Sequence, residues 1–468
     1  MAFAFAPACG DGSGDDGSTS LDDDGFESGS TLPSGSEDET TLSGSTTLDT
    51  GSTTLDTGTD DTAETTGGGC NPPAADAQIS GTVYAPNQEI PVSGALVYTT
   101  NEMPDGIPQT VYCAECVELD CAIHWGLTAP DGSFAIPAGS GQKYLVVQKG
   151  QFMRIVEIDI AMGNNALGPD LTSLPDHNDP TNGLYIPSIA VGFASYDRLE
   201  DGLAKLGLGD LMLTGTYGQQ LVPGTEQFDL WANGGSVSGI TTMGNFGQLI
   251  QNYALMEQYH IIFIPCSSDT YEGLLQDPTV QANIRNWTAA GGKWYASDWS
   301  NEMVEHIFPQ YQTLQGEPNN ADISSYDSTG TLLDQDMIAW MQALPDALKD
   351  INPANGGGTT HPTVNAPSIE LVDNWSAVND TPPVLVDDGM GGQIDVGHKV
   401  WVESPHSGVT KANAITAPYG CGKIMFTTYH TAEFSATYTG LTPQELVLMY
   451  LILEIGVCQT ETPIPPAD

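Results

Sequence analysis

Asp298 and Glu302 stand four residues apart, just after the apolar segment Lys293-Trp-Tyr-Ala-Ser297 and a Gly291-Gly292 pair. That order reads as a helix end, a turn, a short buried strand and a sharp turn into another helix. In α/β enzymes such a strand-to-helix turn lifts a nucleophile clear of the sheet. Here the turn carries Asp298 and Trp299, with no Cys or Ser between glycines. On a continuous helix Asp298 and Glu302 share a face. Joined by His430 and Glu433 from a neighbouring strand end, they would form a hydrolytic acid–base pair or a metal site. The plainer reading is that acids at a helix start simply cap it and meet its dipole. Trp294, Trp299, Trp340 and Trp375 would line a sugar-binding groove or fill the core, and the core is the commoner fate of scattered aromatics. Cys266 ends an earlier apolar run and reads as a buried or disulfide-bonded cysteine ahead of a nucleophile.

The elements that must position these residues follow from periodicity. Ile186–Phe193, His260–Pro265, Lys293–Ser297 and Gly422–Thr428 read as buried strands. Between and after them, Tyr196–Leu206 places Leu199, Leu203 and Leu206 at helical spacing, Val280–Ala290 is amphipathic, and Gln444–Ile455 closes the domain. Strands alternating with helices predict a flavodoxin-like parallel α/β sheet, covered on both faces, over residues 183–460. Such sheets bind ligands at the C-terminal ends of their strands. Residues 76–165 differ: Gln78–Tyr84, Ala95–Tyr98, Ser133–Ile136, Lys143–Gln148 and Arg154–Ile160 are short runs between turn signals such as Asp131-Gly132. They predict a small antiparallel β-sandwich, most simply a spacer.

Upstream, residues 10–75 are a different kind of chain. The unit Gly-Ser-Thr-Thr-Leu-Asp-Thr occurs at 44–50 and again at 51–57. Fifteen acids and no base lie between residues 10 and 69, a quarter of the 60 Asp and Glu in a chain of 468 residues with only 11 Lys and Arg. This segment buries too little apolar surface to offset its chain entropy and is expected to be a disordered, self-repelling linker. Its Asp-Gly clusters between Asp11 and Asp24 offer calcium an alternative to solvent but lack a full calcium-loop spacing. Charge of this sign excludes nucleic acid and anionic lipid surfaces as partners. No stretch is long and apolar enough to span a bilayer. Residues 1–9 end in Ala6-Pro7-Ala8-Cys9, which reads as a lipoprotein cleavage box with Cys9 as the lipidated residue; contact with a membrane would be through that anchor alone.

If Cys9 carries lipid, seven cysteines remain, and an envelope location favours disulfides. Pairing is expected among Cys70, Cys113, Cys116 and Cys121, and between Cys421 and Cys458. Zinc on Cys113, Cys116, Cys121 and His124 is the alternative, weakened because all four fall within twelve residues.

The sequence Ile-Ser-Gly-Thr-Val, Val-Ser-Gly-Ala-Leu-Val and Asp-Gly-Ser-Phe-Ala-Ile-Pro-Ala-Gly resembles the carboxypeptidase regulatory-like β-sandwich, commonly an accessory module. Tyr-His-Ile-Ile-Phe-Ile-Pro, Ala-Gly-Gly-Lys-Trp-Tyr-Ala-Ser and Gly-Lys-Ile-Met-Phe-Thr-Thr-Tyr-His resemble the class I glutamine amidotransferase-like fold in its ThuA-like variant. Together with Ile186-Pro-Ser-Ile-Ala-Val, Asp197-Arg-Leu-Glu-Asp-Gly-Leu and Thr442-Pro-Gln-Glu-Leu, the layout resembles a family of myxobacterial lipoproteins over residues 76–460. An amidotransferase implies a Cys at the elbow with a His and an acid behind it. His430 and Glu433 fall where those two belong, with the acid one place further along than usual; the Cys is replaced by Asp298. The resemblance therefore implies a cell-envelope or secreted lipoprotein that has lost amide-nitrogen transfer and binds a glycan or an envelope protein without a cofactor. The alternative is a hydrolase or sugar-modifying enzyme built on Asp298, Glu302, His430 and Glu433; the cofactor alternatives are zinc at the Cys113 cluster and calcium at the tether acids.

Overall fold

The computed structural model describes residues 74–114, 119, 123–214, 218–267, 271–311, 313–314, 325–349, 365–431, 440–456 and 462–465. Cys9, Cys70, Cys116, Cys121, Glu433 and Cys458, and the tether as far as residue 73, lie outside the described residues.

The N-terminal strands form two sheets. Ala77–Thr82 pairs antiparallel with Ser133–Ala138 and, on its other side, parallel with Gly163–Ala166. The second sheet has five antiparallel strands in the order Trp125–Leu127, Leu96–Thr100, Gly141–Lys149, Phe152–Ile160 and Leu184–Tyr185. Alternation along Ser133–Ala138 sends Phe134, Ile136 and Ala138 inward, as period two requires when one face is wet.

A nine-stranded sheet follows. Its strands are β1 (Ile189–Ala194), β2 (Asp229–Asn233), β3 (Ile261–Ile264), β4 (Lys293–Ser297), β5 (Tyr326–Leu332), β6 (Ser368–Asn374), β7 (Lys399–His406), β8 (Val409–Tyr419) and β9 (Gly422–Thr427). The order is β2-β1-β3-β4-β9-β8-β7-β5-β6. The first five strands are parallel, and the remaining pairings are antiparallel. The expected parallel sheet is therefore half of a mixed one. The antiparallel half grows from a two-residue hairpin between β7 and β8, where Ser407 (φ 51°) and Gly408 (φ 80°) both have positive φ. Such turns match the right-handed twist of the strands they join.

Every residue of β1, β3 and β4 is buried, as a sheet covered on both faces demands. Alternate side chains divide between two cores. Phe263, Tyr295 and Met425 pack with Leu446, Met449 and Tyr450 of the closing helix Pro443–Ile455. Ile262, Ile264, Trp294 and Ala296 pack with Ile284 and Trp287 of the helix Pro278–Ala289. Both helices are capped as their sequences direct. Asp277 accepts from Thr279 N, and Thr442 and Glu445 form a reciprocal capping box. The core holding the closing helix also contains Ile79, Val97, Ile136 and Val147 of the N-terminal sheets. Trp340 Nε1 donates to Pro91 O at 2.7 Å, and Lys149 pairs with Glu454 at 2.8 Å, across the same contact.

Cys113 is bonded to Cys421, with Cα atoms 5.1 Å apart and a sequence separation of 308. This replaces the expected pairing of Cys113 within its own cluster and of Cys421 with Cys458. It also removes Cys113 as a zinc ligand alongside Cys116, Cys121 and His124. The cause is tertiary. The loop after Leu96–Thr100 crosses to this end of the nine-stranded sheet: Val111 N donates to Glu257 O ahead of β3, and Cys421 N, ahead of β9, donates to Ala289 O. Only the packing of the two sheets brings these cysteines within bonding distance.

Candidate active site

β4 ends at Ser297, and the chain turns at once into a 3₁₀ turn, Asp298–Asn301, and the short helix Glu302–Glu305. Asp298 takes φ 52° at this elbow. A non-glycine residue in the left-handed region stores strain that the surroundings must hold, and such strain gathers at functional sites. A second acid, Asp373 near the end of β6, takes φ 58°. These two strained acids flank one histidine.

His430 Nε2 lies 3.0 Å from Asp298 Oδ2, and His430 Nδ1 lies 3.2 Å from Asp373 Oδ2. A carboxylate thus stands against each ring nitrogen of His430, the order of groups that a hydrolytic triad uses. Asp298 is fully buried and His430 nearly so, whereas the Asp373 side chain is 41% exposed. Burial pushes the Asp298 carboxyl up to about 7, against the pull of His430 and with help from Asp373 and Asp197. Burial alone would lower His430, but Cys266, Asp298 and Asp373 together hold it well above an ordinary imidazole. Burial also works to raise Asp373; the hydrogen bond and charge of His430, then Ser325 and Trp375, keep it below the ordinary carboxylate range. Trp375 Nε1 and Ser325 Oγ each donate to Asp373 Oδ1 at 2.8 Å. Asp298 Oδ1 is buried with no hydrogen-bond partner among the described residues.

Asp298 and His430 follow the adjacent strands β4 and β9, whereas Asp373 comes from β6 at the far edge of the sheet, and a polar frame holds them together. Asp197, just beyond β1, accepts from Ser297 Oγ at 3.1 Å and from Thr431 N at 3.0 Å. It therefore ties the elbow to the residue after His430. Gln444 Nε2 donates to His430 O at 2.9 Å and to Val372 O at 2.7 Å, clamping the backbones next to both ends of the His430–Asp373 contact. Asn374 and Tyr429 form a β-bridge, and Thr428 Oγ1 donates to Asn374 Oδ1 at 3.0 Å. The antiparallel half curls until the outermost strand, β6, meets the end of β9. Gln444→Ala is expected to leave KM nearly unchanged and lower kcat by up to about 10²-fold, the scale of a misplacement of about 1 Å; steady-state kinetics on a responsive substrate would show it.

Cys266 lies beyond β3, is buried and is not in a disulfide. The ligand-type atoms of Cys266, Asp298 and His430 all lie within 4.8 Å of one another. Trp294 and Trp340 are core residues whose indoles donate to Met303 O and Pro91 O. Trp299 and Trp375 are half-buried beside the site, with ring centroids 5.9 Å apart in an edge-on pair.

Glu302 does not join the site. Ser300 (φ −83°, ψ 21°) departs from helical geometry, so the four-residue spacing no longer aligns Glu302 with Asp298. Glu302 is instead buried with both carboxylate oxygens lacking hydrogen-bond partners among the described residues. Burial, then Glu305 and Glu272, raise it to about 8. Its folded pKa is raised, so its stabilising contribution is complete below the unfolded value and is lost as pH rises through about 8. Glu302→Gln is expected to remove this slope, on the order of 1 kcal/mol per pH unit between about pH 5 and 8. The check is thermal unfolding across that range, with wild type losing stability relative to the variant as pH rises.

Asp298 and His430 were expected together and are together. Asp373, Cys266, Asp197 and Gln444 were not placed in a site by their spacing. The signals present were an Asp-Asn pair at the end of an apolar run and a Cys directly after a buried strand.

No protein-family model matches the chain, and no curated protein matches it. Among solved structures, a Bacteroides uniformis protein described as carbohydrate-binding matches at 12% identity and TM-score 0.14, over 20% of this chain and 40% of its own. A β-galactosidase from Bacillus circulans sp. alkalophilus matches at 10% identity and TM-score 0.26, over 47% and 25%. A Bacteroides uniformis protein described as ThuA-like matches at 8% identity and TM-score 0.30, over 57% and 91%. The chain thus spans less than half the length of the first two. The functional assignment rests on the site itself.

Proposed function

We propose that this chain is a hydrolase in which Asp298 is the nucleophile, His430 the general base and Asp373 the acid that orients it. The observation that carries the reading is the 3.0 Å and 3.2 Å contacts of the two His430 nitrogens with acids held in left-handed backbone, one of them on a strand-to-helix elbow.

A carboxylate is best used against a saturated carbon bearing a leaving group, because the product is an ester that water can cleave. Asp298 Oδ1 attacks that carbon. The new O–C bond forms as the carbon–leaving-group bond breaks, and the leaving group departs with the electron pair. Esterification cancels the Asp298 charge, so His430 loses one of its anionic partners and gives its extra proton to the alkoxide of an opened epoxide or, when halide leaves, to solvent. Water then gives a proton to His430 and adds to the Asp298 ester carbonyl. The alcohol leaves with the proton from His430, and the acid proton left on Asp298 passes to His430, which restores the carboxylate and the protonated imidazole. The substrates that fit are alkyl halides and epoxides, whose alkyl esters water cleaves at the carbonyl.

A panel of haloalkanes and epoxides tests this. Turnover of at least one class by wild type, lost in Asp298→Asn, is the expected outcome. Full activity in that variant, or no turnover of any class, would contradict it.

A second reading, glycan binding without turnover, draws support from the half-buried Trp299–Trp375 pair beside Asp373. Glycan capture that survives Asp298→Asn and fails in Trp375→Ala would favour it. Either way, we infer a cell-envelope setting with a lipid anchor at Cys9. The Cys113–Cys421 disulfide supports an oxidising compartment, and the acidic composition argues against nucleic acid as a partner.

A further inference from the structure

The structure assigns to the same site a second occupant, a zinc-class divalent metal held by Cys266 Sγ, the Asp298 carboxylate and the His430 imidazole. Zinc binds sulfur, nitrogen and oxygen donors together, and open zinc sites use three protein ligands. The three donor types converge here, with ligand atoms within 4.8 Å of one another and all three residues buried. Asp298 Oδ1 is a buried carboxylate oxygen without a hydrogen-bond partner among the described residues, so it has lone pairs open to a metal ion. Asp373 completes the arrangement from outside. It contacts His430 Nδ1 at 3.2 Å, the place where a carboxylate fixes the tautomer and orientation of a metal-binding histidine. Asp373 is itself held by Trp375 and Ser325.

The assignment explains a residue that the triad leaves idle. Hydrolysis by Asp298 and His430 does not require a thiol, yet Cys266 is placed against both. Metal and substrate would exclude each other, because Asp298 and His430 cannot serve as ligands and as nucleophile and base at once. The binding claim stands without the triad; only the exclusion claim rests on it.

Cobalt(II) is the probe, since a cobalt–thiolate bond gives a near-ultraviolet charge-transfer band. Metal-stripped full-length protein is titrated with cobalt and then with zinc. The expected result is one equivalent of cobalt with that band, displaced by zinc, with the band lost in Cys266→Ser. Asp373→Asn keeps all three ligands and is expected to lower zinc affinity about 10–100-fold, which guards against a Cys266 variant that fails to fold. No thiolate band in wild type, a band that persists in Cys266→Ser, or unchanged affinity in Asp373→Asn would each overturn the site. Cobalt binding in a protein that hydrolyses nothing would leave the metal site standing and remove the triad. Turnover undisturbed by saturating zinc would overturn the shared-site assignment.

Discussion

Asp298→Asn is expected to lower turnover by at least roughly 10³-fold, as loss of the nucleophile in a triad does, with no loss of folding. The amide retains the shape of the side chain and tolerates φ 52° as well as aspartate does, since Asn and Asp are the non-glycine residues most at home there. It also removes a buried carboxylate whose oxygen Oδ1 has no hydrogen-bond partner among the described residues, so thermal stability should be unchanged or higher. A stabilised but inactive protein separates a chemical role from a structural one. His430→Gln should behave differently. With a haloalkane, whose halide departs without a proton, the first step needs only Asp298, so this variant is expected to release one equivalent of halide per site and then stop. Rapid-quench measurement of the leaving group, with enzyme in large amount, distinguishes the two variants.

The second large effect is on stability. Cys113→Ser is expected to destabilise the protein by about 2–5 kcal/mol, because a link across 308 residues restricts the unfolded chain far more than a short loop would. The link also ties the loop carrying Tyr112 and Cys113 to the start of β9 and, through Gly291, to the turn before β4; a Cβ built on Gly291 would lie 1.9 Å from Tyr112 O. The triad sits at the opposite, C-terminal ends of these strands, so the folded variant should keep most of its turnover. Thermal unfolding with and without reductant checks this. Wild type should fall to the level of the variant when reduced, and the variant should not respond.

How much of this was legible follows from how local each feature is. β3, β4 and β9 announce themselves as short apolar runs, and the helices Pro278–Ala289 and Pro443–Ile455 announce themselves by their caps. The elbow at Asp298 is a local turn and was readable, as was His430 at the end of β9. Asp373 was not, because its place depends on a sheet order, β9-β8-β7-β5-β6, that carries residues 368–374 away from β9 and then curls them back to it. Glu302 failed for the opposite reason. The four-residue rule holds for a regular helix, and the first turn here is 3₁₀ with Ser300 out of helical geometry. The antiparallel half was missed although Ser407-Gly408 between alternating runs is a hairpin signal. The Cys113–Cys421 bond was beyond reach of spacing, since it records contact between the N-terminal sheets and the nine-stranded one.

The most direct test of the central claim is where the oxygen of water goes. A responsive substrate is hydrolysed in H₂¹⁸O with enzyme in excess, so that each site turns over once, and the peptide containing Asp298 is then weighed by mass spectrometry. A carboxylate nucleophile predicts heavy oxygen in the Asp298 side chain and ordinary oxygen in the first product. Heavy oxygen in the product alone, with Asp298 unlabelled, would mean that water attacks the substrate directly and that Asp298 is not the nucleophile.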